Sequence, residues 1–152
     1  MKLRLILTLA LTLLAWGSIA AAARADDLSE LRSCENCGMD RKAYGYSRML
    51  IRLADGAPIG VCSLNCAVVA LEQLKGAPVQ ALLVADRDTR ALINAAAAIW
   101  VMGGDRRGVM TQRPKWAFAN TTSAGRFVQR HGGSIVSWET ALRAARQDAG
   151  MK

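Results

Sequence analysis

The chain has 152 residues, enough for one ordinary domain or two very small ones. Its formal charge is +8, yet the basic residues are scattered and only 5% of residues are aromatic, which argues against a nucleic-acid surface. There is one histidine, no Ser/His/Asp set and no pair of carboxylates placed for acid–base work, so hydrolysis has no candidate machinery and the chain does not read as an enzyme.

In chain order, Met1-Lys2-Leu3-Arg4 gives a positive start, Leu5 to Trp16 an uncharged apolar run, and Ala23-Arg24-Ala25 a small-x-small cleavage site. That pattern predicts a secretory signal over residues 1–25, cleaved after Ala25, and a periplasmic mature protein. The competing expectation is an uncleaved membrane anchor, since the apolar stretch extends through Ala23. No cysteine lies near the cleavage site, so no lipid attachment and no stable membrane anchor are expected afterwards. Cleavage removes Lys2, Arg4 and Arg24 and no acid, leaving +5.

Residues 26–86 are expected to form a first β-β-α-β unit. Met49, Ile51 and Leu53 alternate with Arg48, Leu50 and Arg52, a strand with one buried face. Asp55-Gly56 is a turn dipeptide, and Pro58 to Cys62 reads as the returning strand. Ser63 is a good N-cap for a helix from Leu64 to Lys75, stopped by Gly76 and Pro78. Val79 to Ala85 is a buried-looking third strand. Asp86-Arg87-Asp88-Thr89 is a polar joint and the candidate boundary.

Residues 87–152 are expected to form a second β-β-α-β unit with a terminal helix. Ala91 to Ala98 reads as a short alanine-rich helix and Ile99 to Met102 as a short strand. Gly103 to Gly108 is a flexible loop carrying Val109-Met110; it lacks the Lys-Ser/Thr that a phosphate loop needs. Lys115 to Ala119 is a strand, and Thr121 or Ser123 caps a helix ending at His131-Gly132-Gly133. His131 is expected to serve that helix end, where a cation suits the dipole. Ser134 to Trp138 and Glu139 to Gln147 complete the pattern as strand and helix, an α+β fold overall.

All four cysteines lie between Cys34 and Cys66, spaced Cys-x2-Cys, then 24 residues, then Cys-x3-Cys. A hairpin between the pairs would return the chain to its starting level and let the pairs meet. A Cys-x-x-Cys-Gly loop, a hairpin and two cysteines at a helix start are the parts of a treble-clef metal site. Cys66 falls in the first helical turn, where free backbone N–H groups favour a thiolate.

Several chemistries fit Cys34, Cys37, Cys62 and Cys66. Structural zinc would supply roughly 10–16 kcal/mol of folding free energy. Copper(I) prefers thiolates and thioethers, so Met39, two residues after Cys37, and Met110, on a glycine-flanked loop, join the candidate ligands. For both methionines ordinary packing is the competing role. Thiol–disulfide exchange is a third reading, although only the second pair sits at a helix start. Plain disulfides are the bland one: closing Cys34–Cys37 would stabilise by only about 2 kcal/mol on the chain-entropy model, a poor staple.

At these residues the chain resembles the nitrous oxide reductase accessory protein family, NosL. The resemblance runs from Cys34 to about Ala141. It rests on Cys37-Gly38-Met39, the Asp55-Gly56 hairpin, Asp86 with Asp88-Thr89, and Ile99-Trp100-Val101. The Gly108-Val109-Met110 loop, Phe118, His131-Gly132-Gly133 and Val136 complete it. It implies two successive β-β-α-β units, related to the organomercurial lyase fold. It also implies an exported copper(I)-binding protein that delivers copper to a periplasmic copper enzyme such as nitrous oxide reductase, or to a copper-delivery protein. By resemblance, Cys37 and Met39 match the family's Cys-Gly-Met, and Met110 matches the methionine of its Gly-Pro-Met loop. The chain departs from the family in three ways: no lipid-attachment cysteine, Val109 and Thr111 in place of Pro and Gly, and the added pair Cys62 and Cys66.

Overall fold

The computed structural model describes residues 27–151; the expected signal over residues 1–25 lies outside them. The elements are α1 (Asp27–Glu30), β1 (Met49–Leu53), β2 (Ile59–Val61), α2 (Leu64–Gln73), β3 (Val79–Ala85), β4 (Leu92–Asn94), β5 (Ile99–Met102), β6 (Lys115–Phe118), α3 (Thr121–His131), β7 (Ser134–Val136) and α4 (Trp138–Asp148). Two antiparallel sheets result, ordered β2-β1-β3-β4 and β6-β5-β7. In each β-β-α-β run the first strand is central, flanked by the second and the third. The fold is α+β, with two such runs in succession. None of the helices among the described residues is long and apolar enough to cross a membrane.

The β1–β2 hairpin pairs Met49 with Val61 and Ile51 with Ile59. Its turn uses Gly56 at φ +123°, a backbone region open to glycine. Ser63 caps α2 by accepting from the Cys66 backbone N–H, as its residue type suggests. The cap of α3 is Asn120, whose side chain accepts from Ser123 N, rather than Thr121 or Ser123. Asparagine serves as well as serine there, and residue type alone does not place the cap.

Three local expectations are corrected. Residues 91–98 hold no helix. Leu92 to Asn94 pair with Ala85 to Leu83 as β4, and the Asn94 side chain accepts from Ala96 N and Ala97 N in a turn. An available sheet edge outweighs the weak helical preference of alanine. In β1, Met49, Leu50 and Ile51 are all buried, so the strand is covered on both faces at its start. β3 begins exposed and becomes fully buried only at Val84 and Ala85.

Arg41 and Arg48 are buried on a single carboxylate. Arg41 Nη2 lies 2.7 Å and Arg48 Nη2 3.0 Å from Asp27. Arg41 also donates to the carbonyls of Val61, Met49, Asp27 and Leu31. Gly60 makes this possible, since a Cβ there would come within 2.6 Å of the guanidinium. The network ties α1 to the hairpin that carries the cysteines.

The polar joint at Asp86 bridges the two sheets. Asp86 is buried and accepts from Thr89 and from Ala119 N, just beyond β6, while Arg87 N donates to Ala117 O in β6. The core is continuous from the cysteine region through β1, α2, Trp100 and Ala117 to Ala141 and Ala145 of α4. A second cluster of Val101, Trp116, Phe118, Ala124 and Phe127 lies between the three-stranded sheet and α3.

Candidate metal centre

The hairpin and the start of α2 bring the four cysteines together. Their Sγ atoms all lie within 4.8 Å of one another, and none is in a disulfide. Cys37–Cys62 and Cys62–Cys66 are 3.6 Å apart and Cys66–Cys37 3.7 Å, a near-equilateral triangle with Cys34 in reach. Sulfurs bound tetrahedrally at ~2.3 Å from a metal stand about 3.8 Å apart, so the spacing fits a thiophilic ion.

Local backbone explains the placement. Gly38 at φ +74° lets its N–H turn back to Cys34 O at 2.8 Å, and Cys34 N donates to Met39 O at 2.8 Å. Glu35 N donates to Gly60 O at 2.9 Å, pinning the loop to the strand that leads into Cys62. Ser47 Oγ donates to Cys62 O at 2.8 Å and holds that strand end from the other side. Cys34, Cys62 and Cys66 are buried and Cys37 is half-buried, so access is through the Cys34–Met39 loop.

The thiols differ in acidity. Cys66 is pulled down to about 5, first by the hydrogen bond from Cys62, against the opposing effect of burial, with help from the Asn36 amide 3.4 Å away. Cys62 is pushed up, first by the hydrogen bond to Cys66 and then by burial. Burial pushes Cys37 up to about 11, opposed by the Met39 backbone N–H. The hydrogen bonds that Cys62 and Asn36 donate to Cys66 therefore favour the thiolate on Cys66 over its neighbours. Sequence position anticipates this through the helix start; the larger cause is the neighbouring thiols. Asn36 was not singled out by sequence, being one polar residue inside a Cys-x-x-Cys loop.

Met39 is half-buried and packs on the core cluster that contains the cysteines. Met110 is 50% exposed, with φ +52°, beside the buried Val109. Lys115 anchors this loop: its Nζ donates to Thr111, Arg113 O, Asp148 and Asn65 of α2. His131 lies 3.1 Å from Asp105 and stacks on Phe127 at a helix end closed by Gly132.

The NosL family model matches residues 25–144. Among solved structures, the fold is similar to one described as the crystal structure of the copper chaperone NosL from Shewanella denitrificans. That likeness has a TM-score of 0.54 and 19% identity, over 70% of this chain and 87% of that one. No curated protein matches the chain significantly. With most of its length matched by the family model and its fold shared with a family member, the chain belongs to the NosL family.

Proposed function

We propose that this protein is an exported copper(I)-binding metallochaperone that hands its ion to a periplasmic copper enzyme, such as nitrous oxide reductase, or to a delivery protein acting on one. The observation that carries the reading is the cluster of four undisulfided cysteines on a NosL-family fold. Copper(I) is the cargo. It takes two or three soft ligands, which the Cys37–Cys62–Cys66 triangle offers, with Cys34 as a fourth. Met39 and Met110 are the proposed thioether ligands, and the exposure of Met110 leaves it reachable by a partner. Cleavage after Ala25 would free the mature protein in the periplasm while leaving Asp27 to its two arginines.

A second reading has its own observation. Four cysteines with three of them buried form a closed set, the mark of structural zinc. Metal analysis of protein purified anaerobically from the periplasm, with thiols counted in parallel, decides between them. Copper with reduced thiols supports delivery. Zinc with reduced thiols supports the structural centre. Absence of both metal and free thiols would overturn both readings in favour of disulfides.

A further inference from the structure

Lys115 is a buried cation that the proposed site does not use. It opens β6, and its side chain is 2% exposed. Its Nζ lies 2.8 Å from Asp148 of α4, which balances the charge. Charge balance needs no more than that carboxylate. The ammonium nevertheless reaches Thr111 Oγ1 at 2.7 Å and Arg113 O at 2.9 Å in the preceding loop, and Asn65 Oδ1 at 3.3 Å. Asn65 is buried in the first turn of α2, between the cap Ser63 and Cys66. Lys115 therefore joins three segments: the loop, the end of α4, and the helix turn that carries Cys66.

The loop so held presents Met110 in an uncommon pose. Val109 is buried and packs in the same core cluster as Cys34, Cys62 and Cys66. Met110, the next residue, is half exposed at φ +52°. Residues other than glycine rarely enter that left-handed region, and they persist there where the surroundings over-determine the backbone. Here both sides are clamped. Val109 is anchored in the core, and beyond Met110 the Thr111 Oγ1 lies 2.6 Å from Asp148 while Arg113 Nη2 donates to Gln147 Oε1 at 2.9 Å. Methionine's commoner role is apolar packing; this backbone turns the thioether outward instead and fixes it there.

We propose that Lys115 is a positioning residue for copper(I) exchange: through Asn65 it ties the loop that presents Met110 to the helix turn that carries Cys66, and so holds the exposed thioether in register with the buried thiolates. The proposal rests on the delivery reading, in which Met110 is a ligand. It assigns to Lys115 and Asn65 a role that neutralising Asp148 does not require.

The direct substitution Lys115→Met strips Asp148 of its buried partner and endangers the fold. Asn65→Ala removes the acceptor of Lys115 on α2 and leaves the Lys115–Asp148 pair intact. The full protein, Asn65→Ala, Met110→Leu and the double variant are compared by competition with a copper(I) chelator under reducing conditions. Each single substitution should weaken affinity about tenfold, as loss of a supporting contact does. The double variant should be no weaker than either single one, because both remove the same contact. The Met110 methyl resonance, assigned with Met110→Leu, should shift when the parent is loaded with one equivalent of copper(I), and shift less in Asn65→Ala. Losses that multiply in the double variant would make the Lys115–Asn65 bond a support of α2 alone and overturn the proposal. Unchanged affinity in Asn65→Ala, or loss of its near-ultraviolet circular dichroism, would overturn it too. A Met110 methyl that stays put in a parent that binds copper(I) would overturn it while leaving delivery by the cysteines standing. A parent that takes up no copper(I) would overturn the delivery reading and this proposal with it.

Discussion

Cys66 is the residue on which the site's chemistry turns. It is buried in the first turn of α2, accepts from Cys62 and Asn36, and is acidified to about 5. In the reduced, metal-free protein the first thiolate should form near that pH, visible as ultraviolet thiolate absorbance. Cys66→Ser should abolish this low step; a step that persists would place the thiolate elsewhere. In competition with a copper(I) chelator, Asn36→Ala should weaken binding about tenfold, as loss of a supporting hydrogen bond does. Cys66→Ser should weaken it more, since a hydroxyl does not replace a soft thiolate. Met39→Leu should weaken it less, because Met39 sits on the Cys34–Met39 loop and packs on the core. Unchanged affinity in Cys66→Ser would remove the helix pair from the site. The cysteine grouping is legible in sequence because it depends on local spacing and a hairpin. Asn36 and the ordering of the thiols are not, since both depend on which sulfurs face which.

At the scale of elements, two buried ion clusters hold the frame around the site, and both join segments far apart in sequence. Asp27 links α1 to Arg41 and Arg48 with side chains 9%, 0% and 8% exposed. Asp27→Asn would leave two buried guanidiniums on one neutral amide and should cost about 3–5 kcal/mol in denaturant unfolding. A loss under about 1 kcal/mol would show that water already reaches the cluster. The second cluster sets Asp148 of α4 against Lys115 at 2.8 Å. Burial alone would raise the Asp148 carboxyl; hydrogen bonds from Lys115 and Thr111 outweigh it and hold the pKa at about 2. A depressed carboxyl contributes stability that is full above its unfolded value of 3.8 and is lost as pH falls toward about 2. The stability difference between the parent and Asp148→Asn should therefore shrink from pH 5 to pH 2, measured by urea unfolding at each pH. A constant difference would rule out the linkage. Sequence pattern gave no sign of either cluster, because Arg48 occupies the position of a solvent-facing strand residue and Lys115 reads as a strand start. The expected helix at 91–98 failed for a related reason: Leu92 and Ile93 were worth more on the β3 edge than alanines are in a helix. The strands and helices of the two β-β-α-β runs were legible because each carries its own apolar period and its own stop.

At the scale of the whole molecule the question is whether the fold needs its metal. A small treble-clef module does, since its ligands replace a core. Here the cysteines sit at one end of a core that continues through Trp100 and Ala117 to α4. Trp100 stacks on Trp138 at 5.6 Å and donates to Ala95 O. The second cluster around Phe118 and Phe127 contains no cysteine. Asp86 and Arg87 lock the sheets together by hydrogen bonds that involve no sulfur. A chelator should therefore leave far-ultraviolet circular dichroism, and the near-ultraviolet signal of the stacked tryptophans, essentially unchanged. The segment that should loosen is residues 34–39, whose internal backbone–backbone bonds are Cys34 N to Met39 O and Gly38 N to Cys34 O. Amide hydrogen exchange should show faster exchange there after metal removal, with protection kept in β1, β3 and β5. A centre that opens locally can take up and surrender an ion without unfolding, as delivery demands. Cooperative loss of both sheets on chelation would make the metal structural and would sink the delivery reading.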